Sequence, residues 1–62
     1  MIRNIKLNIN LGIEELRRLG LIRIADLTKR QLDLYVQTNA SKEQFERLHK
    51  DIKDTIRYAK VN

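Results

Sequence analysis

The sequence lacks cysteine, proline and tryptophan altogether and has a single histidine, His49, among its 62 residues. Without cysteine no disulfide can cross-link the chain, and a structural zinc ion needs about four Cys or His ligands. Neither a disulfide nor a zinc ion can therefore stabilise the fold. A chain this short buries only about 60% of its unfolded surface. We therefore expect one small domain over residues 1–62, without metal or cofactor, that gains stability from a second subunit or a protein partner.

Long apolar runs are also absent. Apolar and polar residues alternate from Met1 to Asn10, which leaves no continuous apolar segment of the kind found in signal peptides. No segment approaches the roughly 18 uninterrupted apolar residues of a membrane span. Together with the absence of cysteine, this predicts a cytoplasmic protein with no membrane partner.

Catalytic motifs are missing as well. His49 has no second histidine or cysteine to work with, and Asp51 and Asp54 are surrounded by the cations Lys50, Lys53 and Arg57. There is no glycine-rich phosphate loop and no nucleophile motif. We expect that the protein is not an enzyme and has no catalytic, cofactor-binding or metal-binding residues.

What the sequence does contain is positive charge, with 13 Lys and Arg against 8 Asp and Glu and a net charge of +5. Such a balance favours encounter with polyanions such as nucleic acid. The charges are spread along the whole chain instead of forming a tail or a cluster. They permit nucleic-acid binding without identifying it.

The first ten residues have the period of a β-strand. Ile5, Leu7 and Ile9 alternate with polar residues from Asn4 to Asn10, which predicts a half-buried strand. Gly12 would loosen the junction to a short helix that carries Ile13, Leu16 and Leu19, and Gly20 would end that helix.

Two helix starts follow a segment, Leu21 to Leu27, that we expect to be extended. Thr28 with Gln31 and Ser41 with Gln44 both have the spacing of a capping box. They predict a short helix over residues 28–38 and a long helix over residues 41–60, joined as an αα-hairpin. The predicted fold class is thus mainly α, a small α+β domain with an N-terminal strand, a short helix, an extended segment and a C-terminal αα-hairpin.

Residues Asn4 to Leu16 resemble the opening of ribbon-helix-helix repressors. In that family two chains each donate one strand to a ribbon whose polar side chains enter the major groove of DNA. The resemblance implies that Lys6, Asn8 and Asn10 read bases, and it covers about the first quarter of the chain. After it the sequence departs from the family, because Leu21 and Ile22 follow Gly20 where the family turn has a polar residue.

A second predicted DNA contact lies at the start of the Thr28 helix. A helix N-terminus presents free N–H groups that bind phosphate, so Thr28, Lys29 and Arg30 are expected to contact the nucleic-acid backbone. The hairpin also permits a helix-turn-helix interpretation, in which the start of the long helix would reach base edges. Glu43 and Glu46 oppose that interpretation because they would face phosphates.

The long helix has an apolar stripe with nearly the 3.5-residue repeat of a helix-packing seam. Its members are candidates for a dimer or partner interface, because the short helix cannot cover the distal end: Phe45, Leu48, Ile52, Ile56 and Ala59. We expect a small, dimeric DNA-binding transcriptional regulator from a bacterium, phage or plasmid. The alternative is a small protein-binding modulator, such as a phage-encoded inhibitor or antirepressor, that acts through this hydrophobic stripe.

Overall fold

The computed structural model of the protein describes residues 2–61, and the side chains of residues 4–61. Three helices account for nearly all of them: α1 (Ile2–Arg18), α2 (Ile22–Gln37) and α3 (Lys42–Val61). Residues 2–61 contain no β-strand. The fold is a three-helix bundle, and the predicted α+β class with its N-terminal strand is wrong.

Helix α1 is the shared packing partner of the other two helices. It contacts both α2 and α3 extensively, whereas α2 and α3 share few contacts with each other. Lys6 lies over Phe45 near the start of α3, and Glu15 pairs with Lys60 near its end, so α1 and α3 run parallel. The predicted αα-hairpin is therefore wrong as an architecture, because α3 packs mainly on α1 and only slightly on α2.

Residues 4–10 are helical because their buried positions recur every three or four residues. Ile5 packs against the core, and the same face of α1 then buries Ile9, Ile13 and Leu16. The third residue of the supposed apolar strand face, Leu7, is 59% exposed. The alternation combines two apolar stripes of one helix. Ile5 and Ile9 belong to the stripe that packs on the core, and Leu7 belongs to a stripe that is exposed.

The end of α1 confirms Gly20 as a helix stop. Gly20 has φ +84°, a left-handed conformation that only glycine adopts at little cost. The Leu21 N–H donates to the Leu16 carbonyl over 2.9 Å, and the Gly20 N–H donates to the Arg17 carbonyl over 3.0 Å. These two bonds form a Schellman motif. Helix α2 begins directly after it, so the prediction of an extended segment over Leu21 to Leu27 is wrong.

Of the two predicted capping boxes, only the second forms. The Ser41 N–H donates to Gln44 Oε1 over 2.9 Å, and the Gln44 N–H donates to Ser41 Oγ over 3.4 Å, which confirms the start of α3. Thr28 instead lies inside α2, where its hydroxyl donates to the Ile24 carbonyl over 2.7 Å. A threonine hydroxyl has this partner available in any helix interior, so the spacing of Thr28 and Gln31 predicted a helix start wrongly.

The core contains only apolar side chains among the described residues. Gly12, predicted to be a junction, lies in the middle of α1, where a Cβ atom would come within 2.5 Å of Ile52 Cγ2 on α3. Absence of a side chain there allows the two parallel helices to approach each other. The buried residues come from all three helices: Ile9, Ile13, Leu16, Ala25, Leu32, Phe45 and Ile52.

Candidate functional site

The three predicted base-reading residues do not share a surface. Successive side chains of a helix turn by about 100°, so Asn8 projects about 200° away from both Lys6 and Asn10. The Lys6 Nζ atom lies 5.7 Å from the centroid of the Phe45 ring, a cation–π contact within the chain. The ribbon of the ribbon-helix-helix family requires a strand, so this mode of reading DNA is excluded for residues 4–10.

The predicted phosphate site is not at a helix N-terminus. Thr28, Lys29 and Arg30 lie in the middle of α2, where the backbone N–H groups are hydrogen-bonded along the helix. Lys29 Nζ is 3.6 Å from Asp33 Oδ1, one turn further on. Arg30 is exposed on the outer face of α2. The helix-start geometry that motivated this site is absent.

The predicted interface stripe of α3 contributes largely to the core of its own chain. Phe45 and Ile52 are buried, and Leu48 and Ile56 pack against the core cluster. Helix α1 is longer than the helix predicted from the sequence, and its Glu15 pairs with Lys60 near the distal end of α3. Ala59 remains half-buried, at the side of α3 that faces α2.

The start of α3 does not form a helix-turn-helix unit with α2. In that motif the two helices pack against each other, whereas α2 and α3 share few contacts here. Among the ion pairs within 4.0 Å that the described residues form, none joins Glu43 to Arg47, Glu46 to Lys50 or Lys50 to Asp54. The charged side chains at the start of α3, Lys42, Glu43, Glu46 and Arg47, are exposed.

One edge of α3 carries a row of exposed cations. Lys50, Lys53, Arg57 and Lys60 lie at positions i, i+3, i+7 and i+10, within an arc of about 80°. We call these four residues the α3 basic edge. Their helical spacing is visible in the sequence, where Lys50, Lys53 and Arg57 also lie close to Asp51 and Asp54. No ion pair within 4.0 Å joins them to either aspartate in the described part of the chain.

The neighbouring face of α1 borders this edge. Lys60 Nζ lies 3.6 Å from Glu15 Oε1, and the other oxygen of Glu15 lies 3.5 Å from Arg18 Nη1. Asn8 is seven residues before Glu15 and therefore shares its face. Asn10 is seven residues before Arg17, which pairs with Asp26 of α2 over 3.0 Å, so it lies on the opposite side. Of the three predicted base readers, only Asn8 shares the face of α1 that Glu15 occupies beside the α3 basic edge, whereas Lys6 contacts Phe45 at the start of α3.

A groove without charged residues separates α2 from α3. It has a volume of about 340 Å³ and is nearly all apolar. The Tyr58 side chain is 74% exposed, a high value for an aromatic residue at an apolar surface. We call this feature the α2–α3 groove, and it is lined by Leu21, Ile24, Thr55, Tyr58 and Ala59.

Further large apolar side chains lie on the outer faces of α1 and α2. Leu7 and Leu11 are one turn apart on α1, and Leu27 and Leu34 are two turns apart on α2. Each of the four is more than half exposed. The two pairs lie on different helices, and Arg23 and Arg30 interrupt the apolar surface of α2.

Comparison with known proteins adds no relative. The chain matches no protein-family model, no curated protein and no solved structure. Within residues 2–61, no helix has the length and apolar character needed to span a membrane, and no group of three or more His, Cys, Asp or Glu residues could hold a metal ion. The function must therefore be inferred from the chemistry of the exposed surfaces.

Proposed function

We propose that this chain is a small DNA-binding regulator that contacts the phosphate backbone through the α3 basic edge. The observation that carries the proposal is the row of four exposed cations on one helix edge, with a carboxylate within 4.0 Å only at Lys60 among the described side chains. A basic stripe along a helix is the electrostatic footprint of nucleic-acid binding. The net charge of +5 attracts the same polyanion over a longer range.

The dimensions of the edge suit a phosphate backbone. Ten residues separate Lys50 from Lys60, which corresponds to about 15 Å along a helix. Duplex DNA carries one negative charge per roughly 1.7 Å of its axis, so an edge of this length faces several phosphates at once. Arg57 and the lysines donate hydrogen bonds to phosphate oxygens without reading sequence.

Asn8 is the residue best placed to add sequence preference. Its face of α1 borders the α3 basic edge through Glu15, and an asparagine amide can pair with adenine by two hydrogen bonds. Lys6 contacts Phe45 within the chain, Asn10 lies on the side of α1 where Arg17 pairs with α2, and neither has such a role in the proposal.

A salt-dependent titration with fluorescent duplex DNA tests the proposal. Each phosphate neutralised contributes a slope of about −0.9 to log K against log salt, so four contacts predict a slope between about −3 and −4. Replacing Lys53 and Arg57 by glutamine together should reduce this slope by about 1.8 and weaken binding at least about tenfold. The matched control is Lys29→Gln with Arg30→Gln, which removes the same charge from α2 and should leave the slope nearly unchanged.

Two results would contradict DNA binding through this edge. One is an equal loss of affinity in the two double variants, which would mean that only net charge matters. The other is the absence of binding even at low salt. Circular dichroism of each variant shows whether the helices are retained, so that loss of binding is not confused with loss of fold.

The second candidate function is a protein-binding modulator, favoured by the outer leucines of α1 and α2. Four leucines more than half exposed are an apolar surface that a partner protein could cover. The centre of a specific protein interface is usually apolar. Here Arg23 and Arg30 lie beside the exposed leucines of α2 and interrupt the apolar surface. The titration separates the two candidates, because a modulator that acts only on protein shows no steep salt slope with DNA.

A further inference from the structure

We infer that the α2–α3 groove is a self-association surface, and that its occupant is the same groove of a second copy of this chain. The structure leaves the groove open because α2 and α3 pack on α1 and share few contacts with each other. None of its lining residues is charged, and Tyr58 and Ile24 remain 74% and 41% exposed. Such a surface is stabilised when a second apolar surface excludes water from it.

The positive charge of the chain is compatible with self-association through the uncharged groove, whereas it opposes self-association through the α3 basic edge. Each chain carries a net charge of +5. Two copies that met through their basic edges would bring cations against cations, which opposes association. The groove lining contains no ionised side chain, so two copies can meet there without placing like charges at the centre of the contact.

The shape of the groove is suited to a two-fold contact. A two-fold interface uses one patch twice, so a projecting side chain needs its receiving hollow on the same patch. Tyr58 projects from the wall of a groove that Leu21, Ile24 and Ala59 also line. In the dimer each Tyr58 ring enters the groove of the partner, with its hydroxyl near the rim, where water can satisfy it.

The accessible area of the whole chain is larger than that expected for a folded monomer of its mass. The chain exposes 4837 Å², whereas a folded monomer of its mass is expected to expose about 4200 Å². The excess, roughly 600 Å² over the whole chain, is of the same order as the 800 Å² or so that each partner contributes to a standard interface, as expected for a chain that covers part of its surface with a second subunit. Pairing the open sides of two copies would place α2 and α3 of each chain in a four-helix contact of the kind found in bundles.

Sedimentation equilibrium from micromolar to millimolar concentration, at moderate salt, tests the inference. The wild-type chain should sediment with twice the mass of one chain at the upper end of this range. Ile24→Asp and Tyr58→Ala should each raise the dissociation constant at least about thirtyfold, as expected for central interface residues. The control is Leu7→Asp, which places the same new charge on the outer face of α1 and should leave the dissociation constant unchanged.

A measurement on the wild-type sequence locates the contact even where a variant fails to fold. In a mixture of isotope-labelled and unlabelled chains, filtered nuclear Overhauser spectra should connect the Tyr58 ring of one copy to the Ile24 methyl groups of the other. A chain that stays monomeric at millimolar concentration overturns the inference and leaves the groove to a different protein. A dimer without the Tyr58–Ile24 contact, or one that Leu7→Asp disrupts as strongly as Ile24→Asp, also overturns it.

Discussion

Gly12 is a residue whose side chain is excluded by a neighbouring helix. Glycine in a helix interior costs about 1 kcal/mol relative to alanine, so Gly12→Ala on an isolated helix would stabilise it. Here a Cβ atom would lie 2.5 Å from Ile52 Cγ2, a separation that real Cβ atoms essentially never show. We predict that Gly12→Ala lowers the free energy of unfolding by about 1 to 2 kcal/mol, because overpacking outweighs the gain in helix propensity. Urea denaturation followed by circular dichroism measures it.

A double-mutant cycle shows whether the contact with Ile52 is the cause. Leucine has no branch at Cβ, so Ile52→Leu removes the Cγ2 atom that the new methyl group would meet. The double variant Gly12→Ala with Ile52→Leu should therefore lose less stability than the sum of the two single variants, by about 0.5 kcal/mol or more. A single Gly12→Ala variant that is more stable than the wild type would show that α1 and α3 are further apart at this point.

At the scale of the secondary-structure element, Ser41 and Thr28 have the same sequence signature but different structural roles. Ser41 begins α3 and exchanges two hydrogen bonds with Gln44, whereas Thr28 bonds to the carbonyl of Ile24 within α2. We predict that Ser41→Ala lowers the free energy of unfolding by about 1 kcal/mol, the usual cost of removing an N-cap. Thr28→Ala should change it by only a few tenths, since alanine is the better helix former. Thermal unfolding of both variants under one condition is the comparison required.

Equal destabilisation by the two substitutions would contradict the boundaries of α2.

The residues before each candidate cap explain why only Ser41 begins a helix. Asn39 precedes Ser41 with φ +53°, in the left-handed conformation that ends a helix, and Ala40 donates its N–H to the Tyr35 carbonyl over 2.9 Å. Between Gly20 and Thr28 there is no glycine, asparagine or proline to end a helix. A capping-box spacing predicts a helix start reliably only where a stop signal precedes it.

The bounds of α3 were predictable from sequence, and those of α1 and α2 were not. The period of α3 continues for 20 residues, so its buried stripe and its cap indicate the same helix. The seven residues from 4 to 10 contain the partly buried Ile5, the buried Ile9 and the exposed Leu7, whose alternation with polar residues has the period of a strand. Reading on through Ile13 and Leu16 shows the helical period. Surface leucines therefore account for the wrong strand, and a longer window would have corrected it.

The candidate site was affected by the same error. Lys6, Asn8 and Asn10 share a face only in an extended chain. Because the segment is helical, Asn8 lies on a different side of α1 from Lys6 and Asn10. The α3 basic edge, in contrast, follows from helix spacing alone and could have been predicted. Three of its cations lie close to Asp51 and Asp54 in sequence, which suggests neutralisation, but ion pairs depend on which face of the helix each side chain occupies.

At the scale of the whole molecule, seven buried residues among those described form a thin core for a chain of 62 residues. A single core of this size rarely supplies more than about 3 to 5 kcal/mol. If a second copy covers the α2–α3 groove, dissociation is part of unfolding, and the stability of the fold depends on protein concentration by mass action. The stability of a dimer therefore changes with protein concentration, whereas that of a monomer does not. Measurements at two or more concentrations are needed to distinguish them.

We predict that the midpoint of thermal unfolding, Tm, rises by about 5 to 10 °C when the protein concentration is raised a hundredfold, within the range where the dimer forms. Circular dichroism in cells of different path length measures both samples at equal signal. Tyr58→Ala, which removes the projecting ring, should give a lower Tm that no longer depends on concentration, whereas Leu7→Asp should retain the dependence. The same Tm for the wild type at every concentration would mean that the three helices are stable without a second copy, and that the open side of α2 and α3 contributes nothing to the fold.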